Sequence, residues 1–235
     1  MYRRSSSLPL LAAALFLAGC VVVPPGPVRH ESRAVERDAA ERVKATFTMG
    51  AGSMTIRGGA RKLMEAEFTY TPPLSAPLTT YRSTGALGTL TVEEPGSGGA
   101  NIGNPRYEWD VALNNQVPLD FTAHFGAGEA RLDLGDLTLR NVEVHMGAGR
   151  LDLDLRGSPK QDYSVEVHGG VGEANVRLPR DAALYVEASG GIGAMNTRGL
   201  LREGGHWVAD GAREGAPHIR VSIHGGIGAI NVFAE

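Results

Sequence analysis

Val142–Asp154 reads V-E-V-H-M-G-A-G-R-L-D-L-D, and this stretch decides the fold. Val142 and Val144 share one face, and Glu143 and His145 share the other. Beyond the glycines, Leu151, Leu153 and Leu155 oppose Asp152 and Asp154. Strict period two on both sides of a Gly-Ala-Gly is the pattern of half-buried strands. Glycine can take φ > 0 without steric cost, so Gly147 and its neighbours are expected to bend the chain between two strands.

The phrase recurs. T-M-G-A-G-S-M-T-I starts at Thr48, H-F-G-A-G-E-A-R-L at His124 and H-G-G-V-G-E-A-N-V at His168. S-G-G-I-G-A-M-N-T starts at Ser189 and H-G-G-I-G-A-I-N-V at His224. The glycine corners are therefore Gly50 and Gly52, Gly126 and Gly128, Gly147 and Gly149, Gly170 and Gly172, Gly191 and Gly193, and Gly226 and Gly228. Gly126, Gly147, Gly170 and Gly191 are spaced by 21, 23 and 21 residues, which is the period of a solenoid coil. Gly226 follows after 35, so one C-terminal coil carries an insertion, Gly199 to Pro217. The expected fold is all-β: a single-stranded, right-handed β-helix-like solenoid with coils of about 21 residues. Each coil would bury its apolar row on its neighbour, so one repeat alone would not fold. A propeller blade needs about 40–45 residues, twice this period. A phosphate cradle needs a helix after its glycines, and here a strand pattern follows every time.

Around this repeat the chain divides by composition. Residues 1–19 carry Arg3 and Arg4, a short apolar run from Leu8 to Leu17, and small residues before Cys20. That describes an export signal, too short to span a bilayer. Leu17-Ala18-Gly19-Cys20 also resembles the bacterial lipobox, which implies lipidation of Cys20 and attachment to a membrane through acyl chains alone. Loss of the signal removes two of the 23 basic residues, so the net charge goes from −3 to −5. Val21, not Asp, follows the cysteine, which favours the outer membrane in a diderm cell. Residues 20–41 form a proline-rich, then charged, tether, with Ser32–Val43 readable as a helix turn or a first strand. An N-terminal sheet is expected over 42–94, a loop over 95–105 (P-G-S-G-G-A-N-I-G-N-P), and the main solenoid over 106–235.

The order of these motifs resembles a known family. Val35–Tyr70 is similar to the N-terminal part of bacterial toast-rack proteins, and E-W-D-V-A-L-N-N-Q-V-P-L-D (Glu108–Asp120) with the paired G-A-G phrases resembles its continuation. G-L-L-R-E-G-G-H-W-V-A-D and then I-R-V-S-I-H-G-G-I-G-A-I-N-V resemble the C-terminal domain of LiaF-like cell-wall-antibiotic-response proteins and related adhesin-like domains. The resemblance implies a β-helix-like fold and a role at the cell envelope, and carries no catalytic residues. LiaF-like proteins restrain a stress sensor from transmembrane helices; this chain has a lipid-anchor signal in their place.

The composition excludes several classes. A single cysteine leaves no disulfide framework or Cys-clustered zinc site. No basic run beyond Arg3-Arg4 argues against nucleic acid. No cofactor and no metal is expected. His124, His145, His168 and His224 share one outward register, with Glu143, Glu166 and Glu187 two residues earlier on the same face. This is metal-ligand chemistry in type, but Thr48 and Ser189 interrupt the row and nothing fixes a closed coordination shell, so a surface ladder is the expectation. Asn175, Asn196 and Asn231, with Asp152, form a second row suited to stacked amide hydrogen bonds. Asp152 and Asp154 lie about 6.6–7 Å apart along one strand face, within the span of an inverting glycosidase pair. Nothing supplies a positioned acid, so catalysis is not expected. Trp109 and Trp207 are expected to cover the solenoid ends or pack the insertion. The functional expectation is a non-enzymatic envelope lipoprotein, a β-solenoid that binds a protein or cell-wall polymer, with a link to envelope stress. A surface adhesin or self-assembly module, using an open coil end, is the alternative. A glycan-processing enzyme stands last. An exposed apolar end would favour the adhesin.

Overall fold

In the long strand β8 (Leu139–Asp154) the chain alternates inward and outward, bends at Gly147-Ala148-Gly149, and alternates again without leaving the extended state. Each coil is thus one strand bent at its middle, where the sequence suggested two strands and a corner. β2 (Arg42–Gly58), β7 (Leu119–Asp133), β9 (Tyr163–Leu178), β10 (Ala183–Arg198) and β13 (His218–Ala234) repeat the form. The computed structural model describes residues 26–96 and 105–235. The signal 1–19, the lipobox Leu17, Ala18 and Gly19, Cys20, the first part of the tether and most of the 95–105 loop lie outside the described residues. No described helix is long and apolar enough to cross a membrane.

The bend has a clear physical cause, and it differs from the expected one at Gly147. Positive φ belongs to the second glycine of each phrase: +144° at Gly52, +130° at Gly149, +139° at Gly172. Gly147 has no positive φ. It must be glycine because a Cβ there would sit 2.3 Å from the carbonyl oxygen of Gly126 in the next coil. The corner glycines thus stack backbone to backbone, closer than any side chain permits.

These six bent strands pair in parallel and in register. Each has a first arm before the bend and a second arm after it, and the inward rows of both arms form one apolar core. Phe47 and Phe121 meet there at 5.6 Å between ring centres. The spatial order is β2, β7, β8, β9, β13, β10. The last coil therefore lies between β9 and β10 rather than beyond β10 as chain order suggests. Every coil offers the same register, so β13 fits either neighbour. The Gly199–Pro217 insertion supplies the return path: it forms the hairpin β11 (Leu200–Glu203) and β12 (His206–Ala209).

Before the first coil, β1 (Arg29–Val35) is a strand, which resolves the reading of Ser32–Val43. It pairs antiparallel with β3 (Met64–Tyr70), which pairs antiparallel with β6 (Tyr107–Leu113). β6 lies parallel against the second arm of β2, and β5 (Leu87–Glu93), joined to β4 (Leu78–Thr84), lies against its first arm. Residues 42–94 are thereby hydrogen-bonded directly into the stack through β2. Trp109 of β6 is buried among this end group, edge-on to Phe68 at 5.7 Å.

Candidate functional site: the outer ladders and the open end

Two rows run along the outside of the stack. On the first arms, Thr48, His124, His145, His168, His224 and Ser189 are successive register partners. Insertion of β13 makes the histidine row continuous, with Thr48 and Ser189 at its ends rather than as breaks. The imidazoles stack face to face at 4.6, 4.8 and 5.3 Å, the strand spacing of a parallel sheet. His145 Nε2 donates to Glu143 Oε1 at 2.7 Å, and His168 Nε2 to Glu166 Oε1 at 2.7 Å. The hydrogen bond from His145 holds the Glu143 carboxyl below the ordinary carboxylate range. Burial, and then the charge of His145, push the His124 imidazole down. Glu187 does not join the row: Ser222 lies between it and Glu166, and it accepts from Tyr185 Oη at 3.0 Å. Among the described residues no group of three or more His, Cys, Asp or Glu converges to hold a metal.

On the second arms the amide row is joined. Asn175 Nδ2 donates to Asp152 Oδ1 at 2.9 Å, Asn231 Nδ2 to Asn175 Oδ1 at 2.8 Å, and Asn196 Nδ2 to Asn231 Oδ1 at 2.8 Å. Arg150 Nε donates to Asp152 Oδ2 at 2.9 Å. Burial pushes the Asp152 carboxyl up, but the hydrogen bonds from Arg150 and Asn175 outweigh it and hold it below its usual value. Asp154 is lowered in the same way: burial raises it, and Arg156 more than offsets this. Both carboxylates of the supposed glycosidase pair are thus committed to cations as anions.

The two ends of the stack differ. At the β2 end both arms are covered, the first by β5 and β4, the second by β6, β3 and β1. At the β10 end, β12 covers only Tyr185 and Val186 of the first arm. Trp207 of that hairpin lies under Arg202, 5.6 Å from the guanidinium carbon. The second arm of β10 pairs with β13 on one side and, among the described residues, with no strand on the other. Its inward residues are Met195 and Thr197, in register with buried Ile230 and Val232.

The bend changes character toward this end. The last inward residue before the first corner glycine is Met49, Phe125 or Met146 in β2, β7 and β8, but Gly169, Gly225 or Gly190 in β9, β13 and β10. Inside, this leaves an apolar recess walled by Met146, Val167, Ile223, Ile230 and Met195. Outside, the residue between the corner glycines switches from Ala51, Ala127 and Ala148 to Val171, Ile227 and Ile192. Those three are 52%, 54% and 72% exposed, and Met195 is 37% exposed. The repeats were legible in the sequence, but this ridge was not singled out; the change from M-G-A-G to G-G-V-G and G-G-I-G was its signal.

Comparison with known proteins gives a family and solved structures of similar chains. The family model described as the N-terminal domain of toast_rack, DUF2154, matches residues 24–177. A crystal structure of a candidate cell adhesion protein from Clostridium sporogenes is 33% identical with a TM-score of 0.85, covering 89% of this chain and all of that one. Candidate adhesins from Bacteroides fragilis (10% identity, TM-score 0.28, 89% of this chain and 99% of that one) and Parabacteroides merdae (14%, 0.30, 88% and 98%) also match, at superpositions too poor to bear on the site. No curated protein matches.

Proposed function

This chain belongs to the toast-rack family, and we propose that it is a non-enzymatic envelope protein of the adhesion type, touching its partner through the open β10 end. The observation that carries this reading is the apolar ridge Val171, Ile227 and Ile192 beside a strand arm that no described residue pairs on its outer side. Exposed apolar side chains gathered at one end mark an interaction surface. The cell-adhesion description of the 33% identical Clostridium sporogenes structure supports the same reading. Lipidation at Cys20, following the lipobox resemblance, would hold the solenoid at a membrane surface through its acyl chains. A role in envelope stress, implied by the LiaF-like resemblance, would run through the same end, since the resembling segments include β11, β12 and β13. The pairing of Asp152 with Arg150 and Asp154 with Arg156 supports a non-catalytic reading over glycan cleavage.

The test is adhesion itself. Beads carrying the mature chain are applied to immobilised envelope fragments from the producing cell, and retention under flow is compared with Ile192→Lys beads. The substitution adds charge at a side chain already exposed, so the fold should be kept, as thermal melting will verify. Retention by the wild type and its loss in Ile192→Lys is expected. Equal retention of both, or of neither, would contradict contact through this end.

A further inference from the structure

We infer that the second arm of β10, Ile192–Arg198, is a docking edge for one extended strand of a partner polypeptide, added parallel to β10 with its apolar residues turned inward. The inference rests on the end-contact reading above and names the partner's chemistry. Unpaired strand edges invite pairing with other chains, and proteins ordinarily blunt them with charge or brevity or cover them. The other outer strands follow that rule. β1 carries Arg29, Glu31 and Arg33, β4 is polar with Arg82, and β11 is four residues long with Arg202 and Glu203. The open arm of β10 has one charge, Arg198, in seven residues, and exposes Ile192 and Met195.

The amide row shows what the edge lacks. A carboxylate only accepts hydrogen bonds, so Asp152 forces Asn175 to donate toward it. Asn231 must then donate to Asn175, and Asn196 to Asn231. The polarity of the ladder is thereby set from its inner end. It delivers the Asn196 carbonyl to the open edge, where it accepts no hydrogen bond from any described residue. A second copy related by a two-fold axis at Asn196 would bring one such carbonyl against another, two acceptors facing. The opposite end of a second copy is covered by β5 and β6 and offers no free β2 arm. The fitting occupant is a different chain. It places a donor (Asn, Gln, Ser or Thr) beside Asn196, an acid beside Arg198, and apolar residues beside Met195 and Thr197. Main-chain pairing would supply affinity and these alternate side chains specificity.

The test uses the mature full chain and two labelled synthetic peptides of about ten residues. One alternates Leu with Asn and Asp in the register just given; the other is a shuffle of the same residues. Binding is read by fluorescence anisotropy and by amide hydrogen exchange. Saturation in about the micromolar range is expected, with slowed exchange confined to 192–198 and a loss of roughly tenfold or more in Met195→Lys. No saturation by about 1 mM, equal binding of the shuffled peptide, or equal binding to Met195→Lys would overturn the inference. So would protection that falls on the histidine row. A peptide-free dimer abolished by Met195→Lys would make the occupant a second copy and also overturn it. If any of these results comes with adhesion still lost in Ile192→Lys, strand addition fails and the end-contact reading stands. If adhesion also survives Ile192→Lys, both fail.

Discussion

Two glycines three residues apart in the same phrase, Gly169 and Gly172, should respond very unequally to replacement by alanine. At Gly172, φ is +139°, and an added Cβ would lie 1.8 Å from the Gly149 carbonyl oxygen and 2.8 Å from its carbon. Ordinary contact begins at 3.4 Å, so the adjoining coil would have to yield by about 1.6 Å. Holding a non-glycine residue in that backbone region costs about 1–3 kcal/mol, and overpacking against a rigid neighbour adds about 1–3 kcal/mol. The expected loss for Gly172→Ala is therefore about 4 kcal/mol, or a fall in Tm of roughly 8–16 °C for a domain of this size. Gly169 has no positive φ, and its added Cβ would meet only the Met146 methyl at 3.5 Å and Gly225 and His224 backbone atoms at 3.9 Å. Gly169→Ala should stay within about 1 kcal/mol of the parent, helped by the lower entropy of its unfolded chain. Urea unfolding followed by tryptophan fluorescence reads both. A Gly172→Ala loss below about 1 kcal/mol, or an equal loss at Gly169, would refute backbone-on-backbone stacking of the corners.

Three further outcomes follow from the ladders and the N-terminus. Asn175→Ala removes a donor from Asp152 and an acceptor from Asn231 at a buried position, and should cost about 1–3 kcal/mol by chemical denaturation; Asn196→Ala, at the open edge, should change stability by less than about 0.5 kcal/mol. The lowered pKa of His124 means that the unfolded chain binds the proton more readily. Its contribution to stability is complete above about pH 6.5 and is lost as pH falls through the folded-state value, so the Tm of the parent should drop more steeply on acidification than that of His124→Gln. Cys20→Ala should move the expressed protein from the detergent phase to the aqueous phase on detergent partitioning, and continued recovery in the detergent phase would remove the lipid anchor.

How much of this was legible in the sequence depended on whether a feature was local. The alternation flanking each Gly-x-Gly, and the recurrence of that phrase, are properties of single coils, and they led directly to an in-register stack. Which glycine turns φ positive was not legible, because both lack a side chain and only the coil beneath distinguishes them: Gly147 avoids a neighbour, and Gly149 also reverses φ. The order of the last coils was hidden for the converse reason. His168, Ser189 and His224 begin equivalent phrases, so any of these strands stacks on any other, and the pattern alone does not say that β13 enters between β9 and β10. The site inherits that ambiguity. With β13 outermost, the histidine row would be interrupted and Asn196 would be interior. With β13 inside, the row is continuous and β10 is the bare edge. β1 escaped a firm reading because Arg29–Val35 is exposed along nearly its whole length and shows no alternation.

Amide hydrogen exchange of the intact chain tests the order of the last coils most directly. Backbone hydrogen bonds on both sides of β13 should make Ile227–Phe233 among the slowest amides, while those amides of Ile192–Arg198 that point away from β13 exchange rapidly. The reverse pattern, with β10 protected and β13 open, would place the last strand at the end of the stack and contradict the account.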